Sequence, residues 1–265
     1  MFKCKTLLLL AVIMFSAGGG VWAQKKIALP FDDLPCLESY SPLEKVVKIN
    51  QNILDILRKN NIRSVVFVNE YKIHHRNETN ERTKILEKWL DDGHDMGNST
   101  ALHRSAAKTD FEEFKADVLN GEKTISQLLA ARGRKIRFFR YPYLEKGKNS
   151  PKTEKFLKKR GYVIVGASID PKDWKFNAQY RAIAGKYGMD SKEAKAIRDA
   201  FLRNLRKEIE ATLMRPNPEI LLLHACTLTS TLINDIIKII KQNGYVFCTL
   251  EEALGEYKPL ENIEH

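Results

Sequence analysis

Two adjacent carboxylates, Asp32 and Asp33, follow an apolar run, KKIALPF, and are the first residues in the chain whose spacing suggests chemistry. Neighbouring side chains on an extended segment point in different directions, so one carboxylate can hold a metal ion while the other takes a proton. Residues 93–105 read GHDMGNSTALHRS and end in a half-formed metal motif. His103 is one imidazole; four residues earlier, where a second would complete a chelating pair, stands Ser99. Three more apolar runs lead into polar groups: RFF into Arg140-Tyr141-Pro142-Tyr143, YVIVGAS into Asp170 and Asp173-Trp174, and ILLL into His224. A metal-bound water attacking a carbonyl, an Asp taking its proton and a His protonating the leaving group would employ this set. An arginine beside the base would hold it ionised, and backbone N–H groups or the metal would receive the oxyanion. Singly, each group has a plain structural reading as a loop acid, a salt-bridging arginine or a core histidine. Five at the same ends of successive apolar runs form a pattern.

The elements that must position these groups alternate. Apolar, Val-, Ile- and Phe-rich runs at residues 25–31, 63–69, 136–140, 162–168, 219–225 and 245–250 predict buried strands. Amphipathic spacing predicts helices over 43–59, 81–90 and roughly 110–131, the second ending at Asp92-Gly93. Alternating strands and helices imply an α/β fold with a parallel sheet or barrel, whose reactive groups gather at the carboxyl ends of the strands. Residues 175–215 form an unusually long connection carrying the helical stretch AKAIRDAFLRNLRKEIEATLMR, read as an insertion over one end of the barrel.

The 265 residues suit one large domain, 24–265, after an N-terminal leader. That leader has Lys3 and Lys5, an apolar stretch and Val21-Trp22-Ala23, which predicts cleavage after residue 23 and export to the periplasm or exterior. Its apolar part is short for a membrane span, so no stable membrane insertion is expected after cleavage. The formal charge of +11 comes from 44 Lys+Arg against 33 Asp+Glu. Those cations are dispersed and no nucleic-acid motif accompanies them, so they read as a basic surface and not as a nucleic-acid site. Cys36, Cys226 and Cys248 remain after the leader and read as small buried residues.

The order of these pieces resembles the polysaccharide deacetylases, carbohydrate esterase family 4, across nearly all the mature chain. FDDLP is similar to the family's Asp-Asp motif, GHDMGNSTALHRS to its His-(Ser/Thr)-x-x-His segment, and RFFRYPY to its Arg-Pro-aromatic motif. SIDPKDW is similar to its Asp-x-x-Asp-Trp motif and ILLLHA to its closing Leu-His motif. FVNEYK and the long connection look like one branch of the family found in exported bacterial proteins. The resemblance implies a distorted (β/α) barrel and a metal-dependent hydrolase, with zinc or another divalent ion, that removes acetyl groups from an acetylated glycan. It casts Asp32 as general base, His224 as general acid, Arg140 as the restraint on Asp32 and Asp173 as the partner of His224. Asp33 and His103 become metal ligands, backbone near Tyr143 helps hold the oxyanion, and Trp174 and Leu222 line the acetyl pocket. Ser99 takes the place of the third ligand. A neutral hydroxyl is a poor zinc ligand beside imidazole or carboxylate, so the alternative is a catalytically impaired or glycan-binding relative.

Overall fold

Every strand pairing among the described residues, 24–215 and 218–256 of a computed structural model, is parallel. The expected leader lies outside those residues. The strands are β1 (Lys26–Ala28), β2 (Phe31–Leu34), β3 (Val65–Val68), β4 (Asp95–Asn98), β5 (Phe138–Phe139), β6 (Val163–Ile164), β7 (Glu219–Ile220), β8 (Leu223–His224) and β9 (Val246–Phe247). The helices are α1 (Leu43–Lys59), α2 (Glu70–Ile73), α3 (Thr79–Asp91), α4 (Phe111–Asn120), α5 (Lys123–Ala130), α6 (Ser150–Lys159), α7 (Asp173–Tyr187), α8 (Lys192–Glu210), α9 (Thr227–Gln242) and α10 (Leu250–Glu256). One sheet runs β6-β5-β4-β3-β2-β8 and a smaller one β7-β1-β9. Two chain runs belong to both sheets, because β1 leads straight into β2 and β7 into β8. A parallel bridge between Ile169 and Leu221 then joins the run after β6 to the run between β7 and β8. The result is a barrel with interrupted strands.

Side-chain alternation decides where the core sits. Val66 and Val68 of β3 join Phe31 and Met96 in a cluster with Ile53 and Leu57 of α1, Trp89 of α3 and Ile236 and Ile240 of α9. Val65 and Phe67 turn the other way, into a second cluster with Phe138, Val165 and Ile220. Helix α1 buries Val46, Ile49, Ile53, Leu54 and Leu57, the three-and-four spacing of a helix with one apolar face. Buried Asn50 on that face donates to the Pro35 carbonyl at 2.8 Å and accepts from Trp89 Nε1 at 2.8 Å, tying the loop after β2 to α1 and α3.

Several expectations shift in detail. The run 25–31 divides into β1 and β2, and the Asp-Asp pair lies within β2 itself. DMGN, polar and glycine-bearing, forms the central strand β4. The helix expected over 110–131 is two, broken where a Cβ on Gly121 would stand 2.5 Å from Asn98 Oδ1 and 2.7 Å from the Thr100 backbone. The long connection holds two helices, α7 and α8, with Tyr180, Phe201, Leu205 and Ile209 buried in the main core.

Gly97 is the position where the sheet needs the absence of a side chain. A Cβ there would lie 2.5 Å from the Phe67 ring and 3.0 Å from the Phe138 carbonyl oxygen, and Phe67 is fully buried. We expect Gly97→Ala to destabilise the protein by about 1–3 kcal/mol, the usual cost of overpacking, measured by urea unfolding. An unchanged midpoint would show that Phe67 yields freely.

Candidate active site

Strand ends bring the sequence's polar groups to one cleft of about 360 Å³, whose walls include Asp32, Asp33, His103, Tyr143, Trp174, Leu222 and His224. Arg140 and Asp173 are buried behind it. A larger groove of about 610 Å³ beside α1, α7 and α9 shares none of these residues.

The two aspartates separate by a device finer than alternation. Phe31 pairs with Val66 and Leu34 with Val68, so three steps on β2 oppose two on β3, a bulge. Asp33 sits in that bulge at φ 69, the left-handed region that costs most residues energy. His103 (φ 53) and Tyr143 (φ 58), on the same cleft, share this conformation. Strain of this kind persists where surrounding structure enforces it.

Each carboxylate meets its own cation. Arg140, fully buried, donates from Nη1 to Asp32 Oδ1 at 2.5 Å and from Nη2 to the Gly166 carbonyl at 2.9 Å. Its guanidinium carbon lies 4.3 Å from the centre of the Phe67 ring, which fixes its plane from below. Burial nevertheless outweighs Arg140 and His224 and raises the Asp32 pKa above the ordinary aspartate value. Asp33 behaves oppositely: burial would raise it, but Lys72 and His103 prevail and hold it at about 2.

The acid side is a dyad. Asp173 opens α7, where the helix N-terminus favours a carboxylate. Its Oδ1 is 2.7 Å from His224 Nδ1; its Oδ2 accepts from the His224 N–H at 2.7 Å and from Thr229 Oγ1 at 2.9 Å. Burial opposes a charged imidazole, yet Asp173, Asp33 and Asp32 outweigh it and lift His224 to about 9. Asp32 and His224 are register partners on β2 and β8, so the two side chains face the same space.

A divalent metal does not fit this donor set. Ser99 Oγ donates to the Arg140 carbonyl at 3.1 Å, which uses its hydroxyl proton within the scaffold. Asp33 Oδ1 accepts no well-aligned hydrogen bond among the described residues; Lys72 Nζ lies 3.1 Å from it and His103 Nε2 3.5 Å. No group of three or more His, Cys, Asp or Glu that could hold a metal occurs among the described residues. The implied ligand pair of Asp33 and His103 is therefore left one ligand short, with a lysine cation already at the carboxylate. The other candidates do not supply the missing ligand. His94 is buried in contact with the Trp89 ring and accepts at Nδ1 from the Ser64 N–H, and burial holds it at about 4. Cys36 is buried and donates to Glu38. Lys72 was given no role by its spacing; the only local signal is a lysine placed four residues after the end of an apolar strand.

The site thus sets an aspartate–arginine pair facing an aspartate–histidine pair at the ends of parallel strands. The polysaccharide deacetylase family profile matches residues 20–165, more than half of the chain, and the chain belongs to that family. A peptidoglycan-N-acetylglucosamine deacetylase of Bacillus cereus is 29% identical over 160 residues, 60% of this chain and 50% of that protein. The match thus spans half the length of that curated relative. Among solved structures, the chitin deacetylase of Colletotrichum lindemuthianum has a TM-score of 0.65 at 21% identity, covering 91% of this chain and 95% of that one. A family 4 pseudoenzyme from Bacillus anthracis has a TM-score of 0.62 at 17% identity, covering 88% and 66%. These likenesses show the distorted (β/α) barrel.

His224 supplies a pH test of the dyad. Its folded pKa of about 9 lies above the ordinary 6.5, so its stabilisation is complete below about pH 6.5 and is lost as pH rises through about 9. We expect an NMR titration of the His224 ring to centre near 9 in the wild type and to fall toward 6.5 in Asp173→Asn, with unfolding free energy declining over the same window. A wild-type titration near 6.5 would refute the pairing.

Proposed function

We propose that the cleft binds an acetylated glycan, an N-acetylglucosamine polymer or an O-acetylated chain, and hydrolyses its acetyl groups with Asp32 as base and His224 as acid. The observation that carries this reading is the register pairing of Asp32 with His224, each held by its own buried partner, Arg140 and Asp173. Asp32 takes a proton from water as the oxygen adds to the acetyl carbonyl. His224 then gives its proton to the departing sugar nitrogen or oxygen, and acetate leaves. Backbone near Tyr143 receives the oxyanion. Exposed Tyr143 and Trp174 offer aromatic faces for the sugar, and Leu222 with Trp174 lines the acetyl pocket. The names of the curated relatives, together with the leader-like N-terminus, support action on cell-wall glycan outside the cytoplasm.

One observation favours a second reading, glycan binding without turnover: the incomplete ligand set at Ser99 and the Lys72 contact on Asp33. Acetate release from chitooligosaccharide, peptidoglycan and acetylxylan, assayed in parallel, separates the two. Under the first reading the wild type releases acetate from at least one, and Asp32→Asn lowers the rate by about 10²–10⁴-fold, the usual share of a general base. Saturable glycan binding with no acetate from any of the three would establish the second.

A further inference from the structure

We propose that the resident cation of this site is Lys72: its ammonium takes the charge position beside Asp33 that a divalent metal would need, and so excludes the metal. The inference stands on the geometry alone and holds whether or not the cleft turns substrate over.

Lysine is almost never fully buried without a partner, and the Lys72 side chain is only 3% exposed. Its partner is Asp33, 5% exposed, at 3.1 Å through Oδ1. The same oxygen is the one nearest His103 Nε2, at 3.5 Å. A metal bridging Asp33 and His103 would therefore sit against the ammonium, two cations on one carboxylate oxygen in a buried setting where charges are weakly screened.

The backbone of Lys72 is held by structure that also holds the Ser99–His103 segment. Helix α2 follows β3 directly, and the Lys72 N–H donates to the Asn69 carbonyl at 3.1 Å. Asn69 Nδ2 donates to the Ser99 carbonyl at 2.7 Å, and the Tyr71 N–H to the Ala101 carbonyl at 3.0 Å. From the far side, buried Arg82 reaches the Lys72 carbonyl at 3.4 Å. His103 is kept below the usual histidine range by burial; Asp33 opposes that and Lys72 adds to it. The backbones of Lys72 and Ser99 thus belong to one stapled unit, and the Ser99 hydroxyl makes its hydrogen bond to the Arg140 carbonyl and not to the ammonium.

The test is zinc titration calorimetry on the purified full chain after exhaustive chelation. Wild type and Ser99→His are expected to show no saturable zinc binding at micromolar concentration. Lys72→Met/Ser99→His is expected to bind one zinc per chain at least about 100-fold more tightly, since even supporting groups around a metal are worth about 10–100-fold. The proposal is overturned if wild type or Ser99→His binds zinc as tightly as the double variant, or if the folded double variant gains no affinity. Lys72→Gln/Ser99→His replaces it should the methionine variant fail to fold. The wild-type melting temperature supplies a readout free of variants: it should be the same with EDTA as with about 1 mM zinc, and a rise with zinc, the mark of a ligand bound to the folded state, would overturn the proposal.

Discussion

Two carboxylates, adjacent in sequence and both withdrawn from water, lie within the same strand, and the site is organised around balancing their charges from separate directions. An uncompensated buried charge is among the costliest defects a fold can carry. The bulge at Asp33 makes separate balance possible, since it turns one carboxylate toward Arg140 and the other toward Lys72 and His103. Much of the neighbouring structure follows from keeping those cations in place. Gly97 leaves room for the Phe67 ring, that ring lies beneath the Arg140 guanidinium, and the Gly166 carbonyl takes the guanidinium's second donor. On the other side, α2 is pinned to the Ser99–His103 segment by backbone and amide hydrogen bonds.

The Asp173–His224 pair is built by different means. His224 comes from a strand, but its protonation is set by Asp173 at the start of a helix, and Asp173 is itself held by Thr229 of α9. Three elements, one of them some fifty residues away from the other two, therefore meet at one imidazole. Asp173 accepts from the His224 backbone as well as its ring, so position and charge are fixed by one carboxylate. The family profile ends at residue 165, before either member of this dyad, and it is the fold that carries them to Asp32.

What could be seen in the sequence was whatever has a local cause. Helix α1 has the bounds that its apolar spacing predicts, because one face packs on the core along its whole length. The groups at strand ends were visible because each closes an apolar run. Features decided by distant neighbours were not. DMGN lacks the apolar look of a strand, yet β3 and β5 flank it and its glycine is required by a ring on the next strand. Gly121 stands at the break between α4 and α5 where a side chain would meet Asn98 and Thr100, contacts that no window of spacing contains. Lys72 is the extreme case: one lysine among many, made distinctive only by a carboxylate 39 positions earlier that the bulge turns toward it.

Ser99 and Lys72 gain meaning when taken together. Serine at position 99, with no compensating cation, would leave the buried Asp33 carboxylate beside an imidazole whose basicity burial lowers. A lysine at position 72 beside a metal would set like charges against one oxygen. Either residue alone creates a charge imbalance; together they remove it. The hydroxyl of Ser99 finds an acceptor in the Arg140 carbonyl, the ammonium finds Asp33, and the Asp33 carboxylate remains ionised at about 2. This is a site whose charges close without a metal, and not one merely missing a ligand. The consequence for chemistry is that Asp32 and His224 retain their partners intact while the electrophilic side of the cleft has a fixed monovalent charge in place of a Lewis acid. The Asp32–Arg140 and Asp173–His224 pairs and the Lys72–Asp33 pair are thus separate charge-balanced units of one cleft.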